Sequence, residues 1–514
     1  MSKKENILQS AAMIGIFTLI SKGLGFIREV LIASRFGSGM ETDTYFVAMT
    51  ATVIIMGAVG TALNTTLIPI FSEIKAKGGG EAQKKYLNNI LNLVFIITII
   101  LSIIAFIFSP LIIRILGKGF KGEQFQLAVS LNRIGLPIII FLGFTYVFSG
   151  YLQSNQIFGP HAIMGIPYNL VFILYLFFFS KEFSISTLMI VSVIAASTQT
   201  LIQLPAVIHS GYRYSLRINL RDPYIHKATA LVIPVLLGSS VHQINAIVDK
   251  TLASELVKGS ISALTYSNRM NEMIISVFVM AITTVIFPIL SQAFSQEDKG
   301  QLKSILNKGV NFILVITIPA TIGIILLAEP IVRIFFERNA FDARATLMTS
   351  SALRFYALGL VGSSLRLMLN KVFYSFQDTK TPMVNGAIAV AVNIILNLLL
   401  IKPMAHNGLA LATSISATVT TILLIIDLRK SIGPIGMKKI SVTFIKSSFA
   451  AAIMGIVVYL LYYKLGGLLA PKKIIDLLML IISVGVGALV YLIVAILIKI
   501  QDFNQIFILK NKLK

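Results

Sequence analysis

Unbroken runs of Leu, Ile, Val and Phe recur roughly every 30 to 40 residues along the whole 514-residue chain. A helix needs about 20 apolar residues to cross the hydrocarbon core of a bilayer, and in lipid only helices and closed barrels satisfy their own backbone. The runs are continuous, not alternating, which excludes a membrane barrel. Fourteen helical spans are predicted, beginning near Ser10, Asp43, Leu87, Phe125, Ala162, Ile185, Ala228, Ser262, Ile305, Ala345, Pro382, Gly408, Val442 and Ile474. The fold class expected is therefore all-α and polytopic. The first apolar segment, behind Lys3 and Lys4, is interrupted by Lys22 and lacks a small-residue cleavage pattern, so it reads as a retained span and not as a signal peptide.

A net charge of +23 would suit a nucleic-acid binder, but the Lys and Arg residues fall in short loops between spans and not on one soluble face, so no nucleic-acid partner is expected. They report topology instead. The alternate loops holding Lys75, Lys77, Lys84 and Lys85, then Arg213, Arg217, Arg221 and Lys227, then Arg429, Lys430, Lys438 and Lys439, with the Lys510 to Lys514 tail, form the more basic set. The positive-inside bias puts that set and both termini in the cytoplasm. In the opposite set Arg333, Arg338 and Arg344 are balanced by Glu329, Glu337 and Asp342, whereas Lys472 and Lys473 are not. The absence of cysteine excludes thiolate metal sites and cysteine nucleophiles. No loop exceeds about twenty residues, so there is no soluble catalytic domain and no enzyme is expected.

Glu73 to Tyr86 and His209 to Lys227 are the longest connections, and the second lies near the midpoint as a hinge. The segment TTLIPIFS, Thr65 to Ser72, is echoed by TTVIFPILS, Thr283 to Ser291, with Pro69 over Pro288 after one insertion. Span four carries Arg133 and ends YLQSNQIFGP; span ten carries Arg354 and ends FYSFQDTKTP. The natural parse is two six-span repeats, residues 1–212 and 213–430, followed by two spans in 431–514. Repeats around a midplane site are a common design of secondary transporters.

Lys22, Arg28 and Glu29 lie inside span one, Arg269 and Glu272 are spaced i,i+3 in span eight, and Arg366 and Lys371 lie in span ten. A cation at mid-bilayer costs roughly 2.5 to 3.5 kcal/mol even on lenient scales, so such residues default to lining a wet cavity or substrate path. Snorkelling is the competing reading for Lys22, and a structural ion pair for Arg269 with Glu272. Guanidinium forks suit phosphate, and no Walker loop, DxD pair or HExxH accompanies them. The cavity is therefore expected to take an anionic, phosphorylated cargo that is moved and not cleaved.

Asp249 in span seven, Asn393 and Asn397 at i,i+4 in span eleven and Thr413 in span twelve form a hard-oxygen set consistent with sodium. Interhelical hydrogen bonding is the alternative for the two asparagines. His242 shares a helical face with Asp249, where packing is the commoner role. Pro137, Pro234, Pro288 and Pro319 are expected to mark kinks.

Three segments carry a resemblance to a known family: LGFIREVLIASRFGSGMETDTYFVA at Leu24 to Ala48, YSNRMNEMIISVFVMAITTVIFPILSQ at Tyr266 to Gln292, and FYSFQDTKTP at Phe373 to Pro382. In order and at matching spans, they resemble the MurJ/MviN lipid II flippases of the multidrug/oligosaccharidyl-lipid/polysaccharide exporter superfamily. The resemblance implies fourteen helices in two pseudo-symmetric six-helix lobes, with spans thirteen and fourteen making a groove for a polyprenyl tail. It implies a monomer of the bacterial cytoplasmic membrane that carries undecaprenyl-pyrophosphate-linked peptidoglycan precursor to the outer leaflet by alternating access, for cell wall synthesis. The basic positions the family needs match Lys22, Arg28 and Arg269, with Asp43 at the end of the first loop, and a sodium site described in the family matches Asp249, Asn393, Asn397 and Thr413. Two departures stand out. Lys22 occupies a position where the family usually has Arg, and Met56 and Gly57 replace a basic pair in span two. They leave open a flippase for another polyprenyl-pyrophosphate-linked oligosaccharide. A drug/cation antiporter of the superfamily is disfavoured by the cationic cavity.

Overall fold

The computed structural model describes the backbone of residues 3–179, 184–296, 299–466 and 473–500. Within it, the side chains of 3–14, 55, 237–238, 241–242, 277–289, 291–293, 295 and 299 lie outside the description, and with them His242 and Pro288. Among the described residues the chain is helical, with one isolated bridge, Arg338 to Phe341, and no strand. It groups into two compact units, Met1–Ser262 and Ala263–Lys514.

The first unit holds α1 (Lys3–Phe36), α2 (Met40–Ile107), α3 (Ser109–Leu116), α4 (Gly122–Gly135), α5 (Pro137–Ser154), α6 (Gly159–Ile163), α7 (Gly165–Phe178), α8 (Ile185–Leu201), α9 (Leu204–His209), α10 (Pro223–Ser254) and the first turn of α11 (Ser260–Ser295). The 68-residue α2 contains the second and third predicted spans, separated only by a break at Gly79, whose φ of +74° is open to glycine at little cost. Pro137 breaks span four as expected: α4 stops at Gly135 and α5 restarts at the proline, which has no N–H to leave unsatisfied. Pro234 and Pro319 lie inside α10 and the later α12 instead. The core of this unit is the α2–α5 seam, where Phe71 meets Tyr86 and Tyr151 edge to face at 5.3 and 5.6 Å.

α10 packs in the first unit although it opens the second repeat. Thr251 donates to Ile115 O at 2.9 Å, Gly119 N–H donates to Ser254 Oγ at 3.1 Å, and Lys118 pairs with Glu255 at 2.7 Å. The packing boundary at Ser262 thus lies downstream of the repeat boundary expected at residue 212.

The second unit continues α11 and adds α12 (Lys299–Phe336), α13 (Ala343–Leu358), α14 (Leu360–Ser375), α15 (Lys380–Met404), α16 (His406–Ile432), α17 (Met437–Tyr459) with a π-turn over Leu460–Leu465, and α18 (Lys473–Leu497). Its core joins α12, α14, α17 and α18 through Ile313, Met368, Ala451 and Tyr491. α13 and α14 bend by 49° at Gly359. A Cβ at Gly359 would sit 2.6 Å from the Cα of Ser414, so glycine lets the bend touch α16.

Among the described residues nine helices are long and apolar enough to cross a membrane, ten if α13 and α14 count as one bent span. Exposed Ile97, Ile100 and Ile103 on α2 and Ile481, Leu489 and Ile493 on α18 are the lipid-facing surface this requires.

Candidate functional site

Arg28 lies on the face of α1 that packs against α7. Its guanidinium donates to Glu29 Oε1 at 2.6 Å and to Asn169 Oδ1 at 3.0 Å, and lies 5.4 and 5.3 Å from the ring centroids of Tyr168 and Phe172. Asn169 is fixed in turn by donating to Ser21 O and Gly165 O, at 3.0 and 2.8 Å. Glu29 is buried, and so partly neutralises a cation that is itself held in one orientation. The neighbours on α7 were not singled out in the sequence. The available signal was a lone Asn in an apolar span, GIPYNLVF, with aromatics one before and three after it.

Lys22 is exposed on α1 and makes no hydrogen bond or ion pair with a described residue. Asp43, in the first turn of α2, is buried and accepts from Gly259 N–H, Ser262 N–H and the Ser262 hydroxyl, each at 2.7 Å. It therefore caps α11.

In the second unit Arg269 and Glu272 form the expected i,i+3 pair at 3.0 Å, both about half exposed, and Asn268 donates to the other Glu272 oxygen at 3.0 Å. Arg366 is half-buried on α14, just past the bend, and its guanidinium makes no hydrogen bond or ion pair with a described residue. Of the four cations expected to meet the cargo, two have carboxylate partners, one is free at the surface and one is half-buried and uncompensated among the described residues.

Three members of the hard-oxygen set, Asn393, Asn397 and Thr413, lie together in the second unit. Asn397 Nδ2 donates to Asn393 Oδ1 at 2.8 Å, Asn393 Nδ2 to Thr413 Oγ1 at 3.4 Å, and Thr413 Oγ1 to Leu409 O at 3.1 Å, a relay along the α15–α16 seam. Asp249 belongs to the first unit, where Asn245 donates to it at 3.4 Å. Among the described residues no three His, Cys, Asp or Glu side chains cluster as a metal site. In this arrangement the Asn393 oxygen accepts from Asn397 and the Thr413 hydroxyl accepts from the Asn393 amide nitrogen, so the relay fits interhelical hydrogen bonding directly.

The span-two departures have structural reasons. Met56 is fully buried in an apolar cluster with Ala105, Leu136 and Ile139. Gly57 faces Gln243, whose Nε2 lies 2.9 Å from where a Cβ would be.

The sequence profile described as "Lipid II flippase MurJ" matches residues 32–479. A probable lipid II flippase MurJ of Rhizobium tropici is 30% identical over 434 residues, covering 82% of this chain and 81% of that protein. A solved lipid II flippase MurJ in an inward closed conformation superimposes with a TM-score of 0.80 at 28% identity, over 95% of this chain and 99% of that one. An inward-facing multidrug transporter of the MATE family matches with a TM-score of 0.64 at 15% identity, covering 83% and 98%, which shows a shared fold alone.

Proposed function

Because this chain belongs to the MurJ family of lipid II flippases, we propose that its intramembrane cations hold the pyrophosphate of lipid II while the carrier passes it across the membrane. The protein is a multi-pass lipid II flippase of the cytoplasmic membrane, and its substrate is a lipid-linked saccharide that feeds peptidoglycan synthesis.

The observation that carries the reading is Arg366. A half-buried guanidinium without a counter-charge among the described residues is unfavourable in the resting protein, and a ligand anion is what completes it. Arg28 adds a fork already oriented by Glu29, Asn169 and two rings, so little side-chain entropy is lost when phosphate arrives. Lys22 and Arg269 supply exposed charge that draws the anion in. In this reading nothing is cleaved: the protein is a carrier and not an enzyme, and it works by alternating access as a monomer.

Residues 1–212 and 213–430 act as the two repeats, 431–514 provide the surface for the polyprenyl tail, and both termini are cytoplasmic. Sodium, held by Asp249, Asn393, Asn397 and Thr413, is the coupling ion of the same proposal; the support for it is the hard-oxygen chemistry of these groups.

The test is rescue of a strain depleted of its own lipid II flippase, paired with direct binding of lipid II and of other polyprenyl-pyrophosphate glycans to the purified protein. Rescue by the wild type and its loss in Arg366→Ala at equal membrane levels is the expected result. Failure of a properly inserted wild type to rescue would sink the reading.

A further inference from the structure

The connection between α9 and α10 is not a slack loop. Residues 212–219 form no regular secondary structure, and three asparagines in the second half of α2 hold the backbone of residues 213–219. Asn88 donates to Arg213 O at 3.1 Å and accepts from Ser215 N–H at 2.9 Å. Asn92 donates to Ser215 O and Arg217 O at 3.1 and 3.0 Å. Asn89 donates to Asn219 O at 2.9 Å and accepts from Asn219 N–H at 2.8 Å. The backbone groups held by the three asparagines all belong to odd-numbered residues, the period of an extended strand, while the hydroxyls of Tyr212 and Tyr214 donate to Asn88 Oδ1 and Asn92 Oδ1 at 2.6 and 2.8 Å.

The segment exposes an unusual mixture. Leu216, Ile218 and Leu220 are 79%, 50% and 63% exposed, and Tyr214, though its hydroxyl donates to Asn92, is 65% exposed. Between them Arg213, Arg217 and Arg221 are exposed, and their guanidinium groups make no ion pair with a described residue. Neighbouring carboxylates are committed elsewhere: Glu73 to Lys77 and Lys227, Glu81 to Lys84, and Asp222 to the Tyr224 N–H at the start of α10.

Depth settles what such a surface meets. Asn92 lies three residues before Phe95, about 4.5 Å along the helix, and Phe95, Ile97, Ile100 and Ile103 are the exposed, lipid-facing row of α2. The clamped segment therefore runs within about one helical turn of the hydrocarbon edge. Large apolar side chains fully exposed to water are unfavourable there, whereas Arg beside Tyr and Leu at that depth is an interfacial composition.

We propose that residues 213–221 form a rigid rail that docks on anionic phospholipid headgroups, its three arginines on lipid phosphates and Leu216, Ile218 and Leu220 in the upper acyl region. Each arginine near an anionic leaflet contributes about fivefold in partitioning. The rail keeps the junction between the repeats on the membrane surface, and the Asn clamp supplies its stiffness. It is independent of the cargo site.

The chain has no cysteine, so Ser215→Cys gives a single labelling position in the full-length protein. The labelled protein is placed in nanodiscs of phosphatidylcholine and phosphatidylglycerol at one fixed ratio, with the quenching bromine, near the headgroup, carried by one lipid or the other. Quenching by brominated phosphatidylglycerol at least fivefold above its bulk share, falling to parity in Arg213→Gln/Arg217→Gln/Arg221→Gln, is the expected result. Should the triple variant not insert, raising salt from about 0.05 to about 0.5 M around the unsubstituted arginines shortens the Debye length roughly threefold and must remove the preference. Parity at low salt, a preference that survives salt, no quenching by either lipid, or quenching changes that need an added membrane protein extract would each overturn the proposal, the last in favour of a partner strand on the open edge.

Discussion

The N–H and hydroxyl of Ser262 both donate to the same carboxylate oxygen of Asp43, each at 2.7 Å, across 219 positions of sequence. The other oxygen takes the N–H of Gly259 at 2.7 Å, and Ser38 donates to the Gly259 carbonyl at 3.1 Å. Gly259 has a φ of +95°, and a Cβ there would lie 2.8 Å from Ser38 O, so the turn before α11 is closed against the loop between α1 and α2. A carboxylate on the orphan donors of a helix start also meets the positive end of the helix dipole. Asp43 thus fixes where the helix that carries Arg269 begins.

Asp43→Ala should lower stability by about 1 to 3 kcal/mol, the range for losing a buried, charge-assisted cap. Asp43→Asn should lose less, since an amide oxygen still accepts from Ser262. Thermal unfolding in detergent reads this, and the surviving folded fraction should bind lipid II with unchanged Kd. A Kd weakened tenfold with no change in melting would make Asp43 a cargo contact and not a cap.

Arg28 and Glu29 predict a different pattern. Arg28→Ala breaks the buried ion pair with Glu29, a loss of about 3 to 5 kcal/mol, and removes the contacts to Tyr168 and Phe172. Neutralising both partners, Arg28→Gln with Glu29→Gln, should recover most of the folded yield because no buried charge remains. Complementation should stay absent in both. Recovery of growth together with yield would reduce Arg28 to a structural role.

The span pattern and the intramembrane cations were legible because hydropathy and charge are one-dimensional properties. Predicted starts at Ile185, Ser262, Ala345 and Pro382 fall within about two residues of observed helix starts. What stayed hidden depends on which faces meet. Nothing near Arg28 in sequence announces Asn169, 141 positions away, and nothing at Asp43 announces Ser262. Nothing in the sequence around Asn88, Asn89 and Asn92 announces that they grip residues 213–219; only packing shows it. Asp249, Asn393, Asn397 and Thr413 read as one oxygen set, and the relay that links the last three appears only in the packing of α15 on α16.

For Arg366 stability and function should separate. With no partner among the described residues to lose, Arg366→Met removes a half-buried charge and should leave the melting temperature unchanged or raised. Lipid II binding should weaken at least tenfold, and Arg366→Lys should retain part of it as a point charge without the fork. A sharp fall in melting temperature for Arg366→Met would mean that the guanidinium already has a structural partner.

Restoring basic residues in span two should fail unequally. Met56 is fully buried among Ala105, Leu136 and Ile139, so Met56→Arg puts a charge into an apolar cluster and should abolish folded yield. At Gly57 the obstacle is the far end of the Gln243 side chain, which can swing away, so Gly57→Arg should fold with a modest loss, about 1 to 3 kcal/mol from crowding. Fluorescence-detected size exclusion of both variants gives the order, and equal yields would show that α2 rotates more freely than its packing implies.

The last prediction separates an ion site from a hydrogen-bond relay. A cation held by Asp249, Asn393, Asn397 and Thr413 stabilises the folded state by mass action, about 2.7 kcal/mol once its concentration reaches a hundred times Kd. Replacing potassium by sodium at constant ionic strength should therefore raise the unfolding temperature of the wild type. Asp249→Asn, which removes only the charge, and Thr413→Val, which keeps the shape, should each erase that increment. A relay alone predicts otherwise: Asn397 donating to Asn393, and Asn393 to Thr413, gains nothing from sodium. Thr413→Val would then cost the same small amount, roughly 0.6 kcal/mol as for other interhelical hydrogen bonds in membranes, in either salt. Asp249→Asn would have no salt-dependent effect, because in that case its carboxylate has no part in the seam between α15 and α16.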